Sequence, residues 1–300
     1  MENQKNTEPL VKSASIASLL VASTLIILKY YAWVTTSSVS MLGSLADSLI
    51  DFLASIVVFI AITYSFLPAD EKHRFGYGKS EGLAAFIQSV LIGISGFYVL
   101  VEAIIRLLNP SQIKQPNIAI WIILVSIALT IALIMYQKYV VKKSQSMAIK
   151  SDQYHYLTDT YINISVLFSI VIAGWTKFIL IDAVVGLLIS GMILYTAFIL
   201  LKQSFKILLD QEIQSSHRDQ IRNIALKHPQ VLGFHDLRTR DTGQKYIIQF
   251  HLELDPNMSL LESHKITDEV TGNILDVYPN TELIIHTDPL GIDEIRDPFE

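Results

Sequence analysis

The stretch SLADSLIDFLASIVVFIAI, residues 44–62, has the length and apolar content of a helix that crosses a lipid bilayer. Two aspartates, Asp47 and Asp51, interrupt its first half. A carboxylate at the centre of a spanning helix costs about 2.5–3.5 kcal/mol on insertion scales. Such residues nearly always face the interior of a helix bundle and have a function there. The stretch therefore predicts a membrane bundle with a buried polar site.

The composition extends this prediction to most of the chain. Of 300 residues, 51% are hydrophobic and only 17% are charged, which is too apolar for one soluble domain. A membrane span needs about 20 largely apolar residues. Six segments meet this requirement: 13–35, 44–62, 82–108, 117–141, 148–174 and 179–207. The sequence thus predicts an α-helical membrane domain of six transmembrane helices over residues 1–207.

Lysine and arginine are concentrated in alternate connections between these spans. The connections after the second and fourth spans contain Lys72, Arg74 and Lys79, and then Lys138, Lys142, Lys143 and Lys150. The opposite connections contain only Arg106, Lys114 and Lys177. Because cytoplasmic loops carry the excess of cationic residues, both termini are predicted to be cytoplasmic.

Two spans carry matched pairs of polar residues. Residues four apart lie on one face of a helix, so Asp47 and Asp51 point the same way in the second span. The fifth span repeats the spacing with His155 and Asp159. Three carboxylates and one imidazole from two facing helices would supply the four ligands of a tetrahedral Zn²⁺, and they also suit Fe²⁺, Mn²⁺ or Cd²⁺.

A bound divalent cation would also explain why the carboxylates are tolerated, since it neutralises charges that otherwise repel each other in a low dielectric. The alternative is a set of interhelical hydrogen bonds or a proton relay without metal. Lys29 is a further polar residue in a span. Its long side chain can extend to the membrane surface, so we expect no transport role for it.

The connection LPADEKHRFGYGKSEGL, residues 67–83, contains a third candidate group. Asp70 and His73 lie three residues apart and could hold a second metal ion, although an exposed polar loop is an equally good interpretation. A phosphate-binding loop is excluded, because His73 occupies the position of its first glycine.

The chain becomes polar after about residue 207, and six of its eight histidines lie there. The pattern from Asp210 predicts helix, strand, strand, helix and strand, a small α+β layer of ferredoxin-like (αββαβ) type over residues 208–290, followed by a tail, 291–300. Capping patterns at Ser216 with Asp219, and at Ser259 with Glu262, mark the two helix starts.

This cytoplasmic domain has its own candidate metal ligands. His286 and Asp288 share one strand face by period two, and three other elements contribute histidines. A mononuclear or binuclear site would then use His235, His251, His264, His286 and Asp288, while solvated surface histidines are the alternative. His217 and His228 look like ordinary surface residues. The absence of cysteine excludes thiolate ligands, and the absence of a basic patch argues against a nucleic-acid partner.

Six motifs together resemble the cation diffusion facilitator family, and in particular its bacterial zinc and iron efflux proteins. They are LADSLID, PADEKHRFGYGKSEG, HYLTD, HDLRTR, QFHLELD and IIHTDP, in the family's order and at similar separations. The resemblance implies a transport site on Asp47, Asp51, His155 and Asp159. It also implies a loop site on Asp70 and His73, but Tyr77 stands where the family usually has a third ligand, a histidine.

The resemblance implies, further, a binuclear cytoplasmic site on His235, His251, His264, His286 and Asp288. It implies a homodimer held partly by a charge interlock at Lys79 and Asp210. The expected protein is not an enzyme. It is a multi-pass protein of the bacterial inner membrane that exchanges Zn²⁺, or Fe²⁺ or Cd²⁺, for protons and exports the metal from the cytoplasm. The alternatives are a metal-sensing membrane receptor and a passive divalent-cation channel.

Overall fold

The structure is a computed structural model and describes residues 2–36, 39–108, 117–176 and 181–291. The predicted tail, 291–300, lies outside these residues except for Gly291. The chain forms two compact units, one of Thr7–Phe205 and one that begins at Lys206.

Six long helices make up the first unit: α1 (Glu2–Thr36), α2 (Val39–Ser65), α3 (Lys79–Leu108), α4 (Asn117–Ser144), α5 (Met147–Thr176) and α6 (Ile181–Leu208). Within the described residues, all of these except α5 contain a stretch long and apolar enough to cross a membrane. Helix α5 is just as long, at 30 residues, but its first half is rich in polar side chains. The predicted α-helical membrane domain is confirmed.

The polar character of α5 follows from its position in the bundle. It packs against α2, α3 and α4, so few of the side chains in its first half face outward. Ala148 and Ile149 are fully buried there beside Val58 of α2. Asp152 is also fully buried, and its carboxylate accepts hydrogen bonds from Ser18, Gln88 and Gln137 of three other helices. A helix surrounded by protein can carry polar groups that lipid would not tolerate.

Helices α3 and α6 approach each other closely because small residues line their contact. A Cβ atom placed on Gly96 would lie 2.8 Å from Cγ2 of Ile193, and one on Gly186 would lie 3.1 Å from Cβ of Ala103. Small residues at such contacts let helix backbones pack tightly within a membrane, where apolar side chains gain little by leaving lipid.

The second unit has the element order α7 (Ser215–Leu226), β1 (Gly233–Asp241), β2 (Tyr246–Leu254), α8 (Leu260–Val277) and β3 (Thr281–Pro289). Its sheet has the order β1-β2-β3, with β1 antiparallel and β3 parallel to β2. Both helices pack on one face, where Ile221 of α7 and Val270 of α8 meet Phe250 of β2. The predicted αββαβ layer is confirmed.

The two predicted helix starts have different outcomes. Ser259 and Glu262 form the expected capping box at the start of α8. The prediction for α7 was wrong, because this helix is preceded by Gln214, which makes no side-chain cap, and Ser216 already lies within its first turn. The pattern of Ser216 and Asp219 therefore lies close to the start of this helix but does not form its N-cap.

Candidate metal centres

The first centre lies between α2 and α5. Nε2 of His155 is 3.2 Å from Oδ1 of Asp51 and 3.7 Å from Oδ2 of Asp159. Each of these residues offers one ligand atom, and the three atoms lie within 4.8 Å of one another. Two carboxylate oxygens and one imidazole nitrogen at this separation form a donor set that suits a divalent transition metal. His155 is buried, and its Nδ1 has no hydrogen-bond partner among the described residues.

Asp47 lies outside this group of three. It is one helical turn before Asp51 on α2 and is exposed in the isolated chain. It interacts electrostatically with both Asp51 and Lys29. The structure thus brings three of the four residues predicted for the membrane site within reach of one ion, with Asp47 at its edge.

Lys29 joins this centre from α1, contrary to the expectation that it extends to the membrane surface. Its Nζ donates a hydrogen bond to Oγ of the buried Ser48 at 2.6 Å. The ammonium group interacts electrostatically with Asp47, Asp51 and Asp159. No spacing rule relates a residue of α1 to residues of α2 and α5, so this cation could not be assigned to the site from sequence.

Buried hydrogen bonds hold the helices around this centre. Oη of Tyr156 lies 2.9 Å from Oγ of Ser55 on α2 and donates to the carbonyl oxygen of Ser18 on α1 at 3.2 Å. Tyr156 follows His155 directly, so these bonds restrain the backbone that carries the imidazole.

A buried carboxylate also fixes the start of α5. Glu81 of α3 accepts a hydrogen bond from Oγ of Ser146, at 2.6 Å, next to the first residue of α5. A negative charge is favoured at a helix N-terminus. Like Asp152, Glu81 is a buried acid that sequence reasoning missed, because neither residue belongs to a matched pair on its helix.

The connection between α2 and α3 contains Asp70, His73 and Tyr77 in mutual contact. Oη of Tyr77 donates to Oδ2 of Asp70 at 2.6 Å, and the backbone N–H groups of Lys72 and His73 donate to Oδ1 at 2.9 and 2.6 Å. The imidazole of His73 lies beside the ring of Tyr77, with 4.3 Å between centroids. These donors, Tyr77 first, lower the pKa of Asp70 to about 2. Both carboxylate oxygens are therefore engaged by groups of the chain itself.

The second unit carries three histidines in one row across its sheet. His235 of β1 stands opposite His251 of β2, which stands beside His286 of β3. Asp288 joins them: its carboxylate oxygens lie 2.8 Å from Nδ1 of His251 and 2.9 Å from Nε2 of His286. Nε2 of His235 lies 3.6 Å from Asp288. Sheet register thus assembles four of the five predicted cytoplasmic ligands.

His235 is buried, yet neither ring nitrogen has a hydrogen-bond partner among the described residues. A buried polar group without a partner is unusual, and a bound ion or water is one explanation for it. Nδ1 of His235 lies 3.4 Å from Oε1 of Glu253, a carboxylate that the predicted ligand set omits. Every second side chain of a strand points to the same face, so Glu253 lies on the same face of β2 as His251. This spacing of two could have identified Glu253 as a candidate ligand from the sequence. The row fits Zn²⁺, since its donors are imidazoles and carboxylates.

Two features of β1 shape this row. Asp236 has φ +50° at an irregularity between His235 and Arg238, and such bulges redirect side chains. Gly233 faces Glu253 across the ladder, where a Cβ would collide with the glutamate side chain. The missing side chain leaves room for the carboxylate of Glu253.

His264 is separated from the row. It lies on α8, is exposed, and has its Nε2 3.5 Å from Oδ2 of Asp268 on the same helix. Because both helices cover the Phe250 face of the sheet, a residue of α8 cannot reach the opposite face, on which His251 lies. His264 therefore joins no ligand group within the described chain, and its predicted ligand role stays a prediction.

His217 and His228 are each partly buried and bonded within the domain. The Nδ1 atom of His217 lies 2.9 Å from Oη of Tyr278, and the Nε2 atom of His228 lies 3.0 Å from Oε2 of Glu269. They are less exposed than the sequence suggests, and among the residues that the structure describes neither belongs to a metal-ligand group.

The residues of the predicted charge interlock lie in different units. Lys79 is the first residue of α3. Asp210 follows α6 with φ +54°, and Oδ2 of its carboxylate is 3.6 Å from Nη1 of Arg240. The interlock between protomers stays a prediction.

Comparison with known proteins gives these centres a family. The family model of the cation efflux transmembrane domain matches residues 15–209, and that of the cation efflux protein cytoplasmic domain matches residues 213–290. The cation-efflux pump FieF of Shewanella oneidensis is 43% identical over 285 residues, covering 94% of this chain and 95% of that protein. Protein p34 of Rickettsia rickettsii is 40% identical, covering 95% of this chain and 94% of that protein.

Solved structures similar to part of the chain include domains of metal transporters. The metal-bound C-terminal domain of the CzcD transporter from Thermotoga maritima is 29% identical and covers 27% of this chain and 100% of its own, with a TM-score of 0.26. The family assignment rests on the two family models and the full-length relatives. The chain belongs to the cation efflux family, that is, the cation diffusion facilitators, whose members are multi-pass membrane transporters rather than enzymes.

Proposed function

We propose that this cation efflux protein exchanges a divalent transition metal, Zn²⁺ first, for protons and exports it from the cytoplasm of a bacterium across the inner membrane. Asp51, His155 and Asp159 are the central ligands, and Asp47 completes the set. The observation that carries the proposal is the convergence of these three side chains from two membrane helices. Residues 1–207 would form the transport domain and residues 208–290 a cytoplasmic regulatory domain, with both termini cytoplasmic and two chains in a homodimer.

Protons and metal compete for the same atoms in this proposal. Metal binding requires deprotonated carboxylates and a neutral imidazole, so a protonated site releases its ion. On the acidic side of the membrane the ligands take up protons and the metal leaves; on the cytoplasmic side the metal replaces the protons. A passive channel has no such competition, and a receptor has no need of ligands within the membrane.

The donor set also bears on which ion is carried. One imidazole with carboxylate oxygens suits Zn²⁺, while an oxygen-rich set also admits Fe²⁺, Mn²⁺ and Cd²⁺. We propose Zn²⁺ as the principal substrate because His155 supplies a borderline-soft nitrogen at the centre of the group.

Transport in proteoliposomes tests the membrane site. Mutation of a residue that merely contacts a metal ligand lowers metal affinity or activity by about 10–100-fold. Loss of a ligand itself, in Asp51→Asn or His155→Ala, should therefore slow zinc transport by about 100-fold or more. A dye trapped inside the vesicles reports zinc entry. An opposing proton gradient should accelerate entry into vesicles that contain the unmodified protein.

Asp276→Asn, which makes the same chemical change at an exposed position of α8, is the matched control and should transport at the unmodified rate. Unchanged rates in both ligand variants would refute the site. Zinc entry that ignores the proton gradient would refute antiport and favour a channel.

We further propose that the cytoplasmic row binds zinc and stabilises its domain. His235, His251, His286 and Asp288 would be the ligands, with Glu253 beside His235 as an added donor or orienting carboxylate. The buried imidazole of His235 without a hydrogen-bond partner supports an ion at this position.

Zinc should raise the unfolding temperature of this domain in the full-length protein. An ion that binds only the folded state stabilises it by about 2.7 kcal/mol at 100 times its Kd. Asp288→Asn should abolish most of the zinc-dependent shift, because this carboxylate contacts all three histidines. His228→Ala removes a histidine that also has a carboxylate partner but lies outside the row, and it should keep the shift. Equal shifts in both variants would contradict the proposal.

The loop between α2 and α3 is proposed to hold no metal ion in this chain. The phenol of Tyr77 is a poor zinc ligand, and its hydrogen bond occupies one oxygen of Asp70. The loop is thus closed by hydrogen bonds of the chain itself.

Tyr77→His should create the site that the unmodified loop lacks. The variant replaces the phenol with an imidazole beside Asp70 and His73, so zinc titration of the full-length protein should show one additional ion per chain. Tyr77→Phe removes the hydroxyl without adding a ligand and should bind the same number of ions as the unmodified protein. A count that falls in Tyr77→Phe would mean that Tyr77 is a ligand after all.

A further inference from the structure

Lys29 places a positive charge at the edge of the membrane centre, from a helix that contributes no predicted ligand. Its Nζ reaches α2 and donates to Ser48, which lies between Asp47 and Asp51 in the sequence. Its ammonium group interacts electrostatically with Asp51, Asp159 and Asp47. A lysine within a membrane helix is costly unless it pairs with opposite charge, and these three carboxylates supply that charge.

The negative charge of this centre exceeds the charge of one divalent cation unless Lys29 is counted. Asp47, Asp51 and Asp159 bring three negative charges when deprotonated, and Lys29 brings one positive charge. Asp152 also interacts with Asp51 and His155, but its carboxylate is bound by Ser18, Gln88 and Gln137 and is left out of this count. Among the three ligand carboxylates and Lys29, two negative charges remain, which one divalent cation neutralises when His155 is neutral. Without Lys29 the loaded site would keep one uncompensated negative charge within the membrane, where unpaired charge is expensive.

We propose that Lys29 is an internal counter-cation that sets the charge of the transport site to match a divalent ion. It is a specificity-determining residue and not a metal ligand, since a charged ammonium group has no lone pair to offer. The hydrogen bond to Ser48 holds the ammonium near the carboxylates but outside the group of three ligands. This inference rests on the proposed transport site and adds a residue that determines which ionic charge it accepts.

Ions of different charge distinguish an electrostatic role of Lys29 from a purely structural one. The full-length chain with His251→Ala and His286→Ala, which lacks two cytoplasmic ligands, would be titrated by calorimetry with Zn²⁺ and with Tb³⁺. Removing one positive charge should favour the trivalent ion. Coulomb's law at a separation of about 8 Å and an effective dielectric of about 20 gives a relative change of about tenfold or more.

Lys29→Met should therefore raise the affinity for Tb³⁺ relative to Zn²⁺ by about tenfold or more. Lys29→Gln, which keeps a donor for Ser48 without the charge, should show the same change. Lys29→Arg keeps the charge, so its ratio should stay within about threefold of that of the parent chain. Lys143→Met, the same substitution on α4 at a lysine placed over the ring of Tyr139, should leave the ratio unchanged.

An unchanged ratio in both Lys29→Met and Lys29→Gln would overturn the inference, as would a Lys29→Arg variant that behaves like Lys29→Met. Asp51→Asn, made in the same protein with His251→Ala and His286→Ala, distinguishes a wrong role for Lys29 from a wrong transport site. If Asp51→Asn removes zinc binding while the Lys29 variants keep the parent ratio, the transport site stands and the role of Lys29 is wrong. If Asp51→Asn leaves zinc binding intact, the transport site itself is wrong.

Discussion

Burying carboxylates within a membrane bundle is the constraint on which the rest of this structure depends. Each unpaired charge there costs several kcal/mol, so the acids of α2 and α5 need partners. The chain provides some of them itself: His155 for Asp51 and Asp159, and Lys29 for the whole group. In the proposed function a divalent cation matches the remaining negative charge, so the cost of burial becomes a means of binding the transported ion.

Helix α5 carries two of the charged residues of this centre and also packs against the neighbouring helices. Its buried polar residues serve two purposes, since Asp152 and Tyr156 join it to neighbouring helices while His155 and Asp159 lie in the candidate metal centre. Glu81 holds its first turn. The same helix therefore lacks a uniformly apolar stretch among its described residues, although it packs within a membrane bundle. Its composition reflects protein neighbours on several sides and not exposure to water.

The local order of this chain could largely be predicted from its sequence, because helix and strand periods repeat over short distances. The spacing of four placed His155 and Asp159 on one face of α5, and period two brought His286 beside Asp288. Relations between distant segments could not be predicted in this way. Lys29 reaches the site through helix packing, and His264 is kept from the histidine row because α8 covers the other face of the sheet. In the loop between α2 and α3, Tyr77 stands at the position of the expected histidine ligand. Its hydrogen bond to Asp70 depends on the fold of the loop and could not be predicted from the sequence.

Zinc K-edge X-ray absorption on the full-length protein with His251→Ala and His286→Ala tests the central claim most directly. The proposed centre predicts a coordination shell of oxygen atoms with a single imidazole nitrogen at about 2.0–2.1 Å. The scattering from that imidazole should disappear in the His155→Ala variant. An imidazole signal that persists in His155→Ala, or a shell with several imidazoles in the parent protein, would contradict an ion held between Asp51, His155 and Asp159.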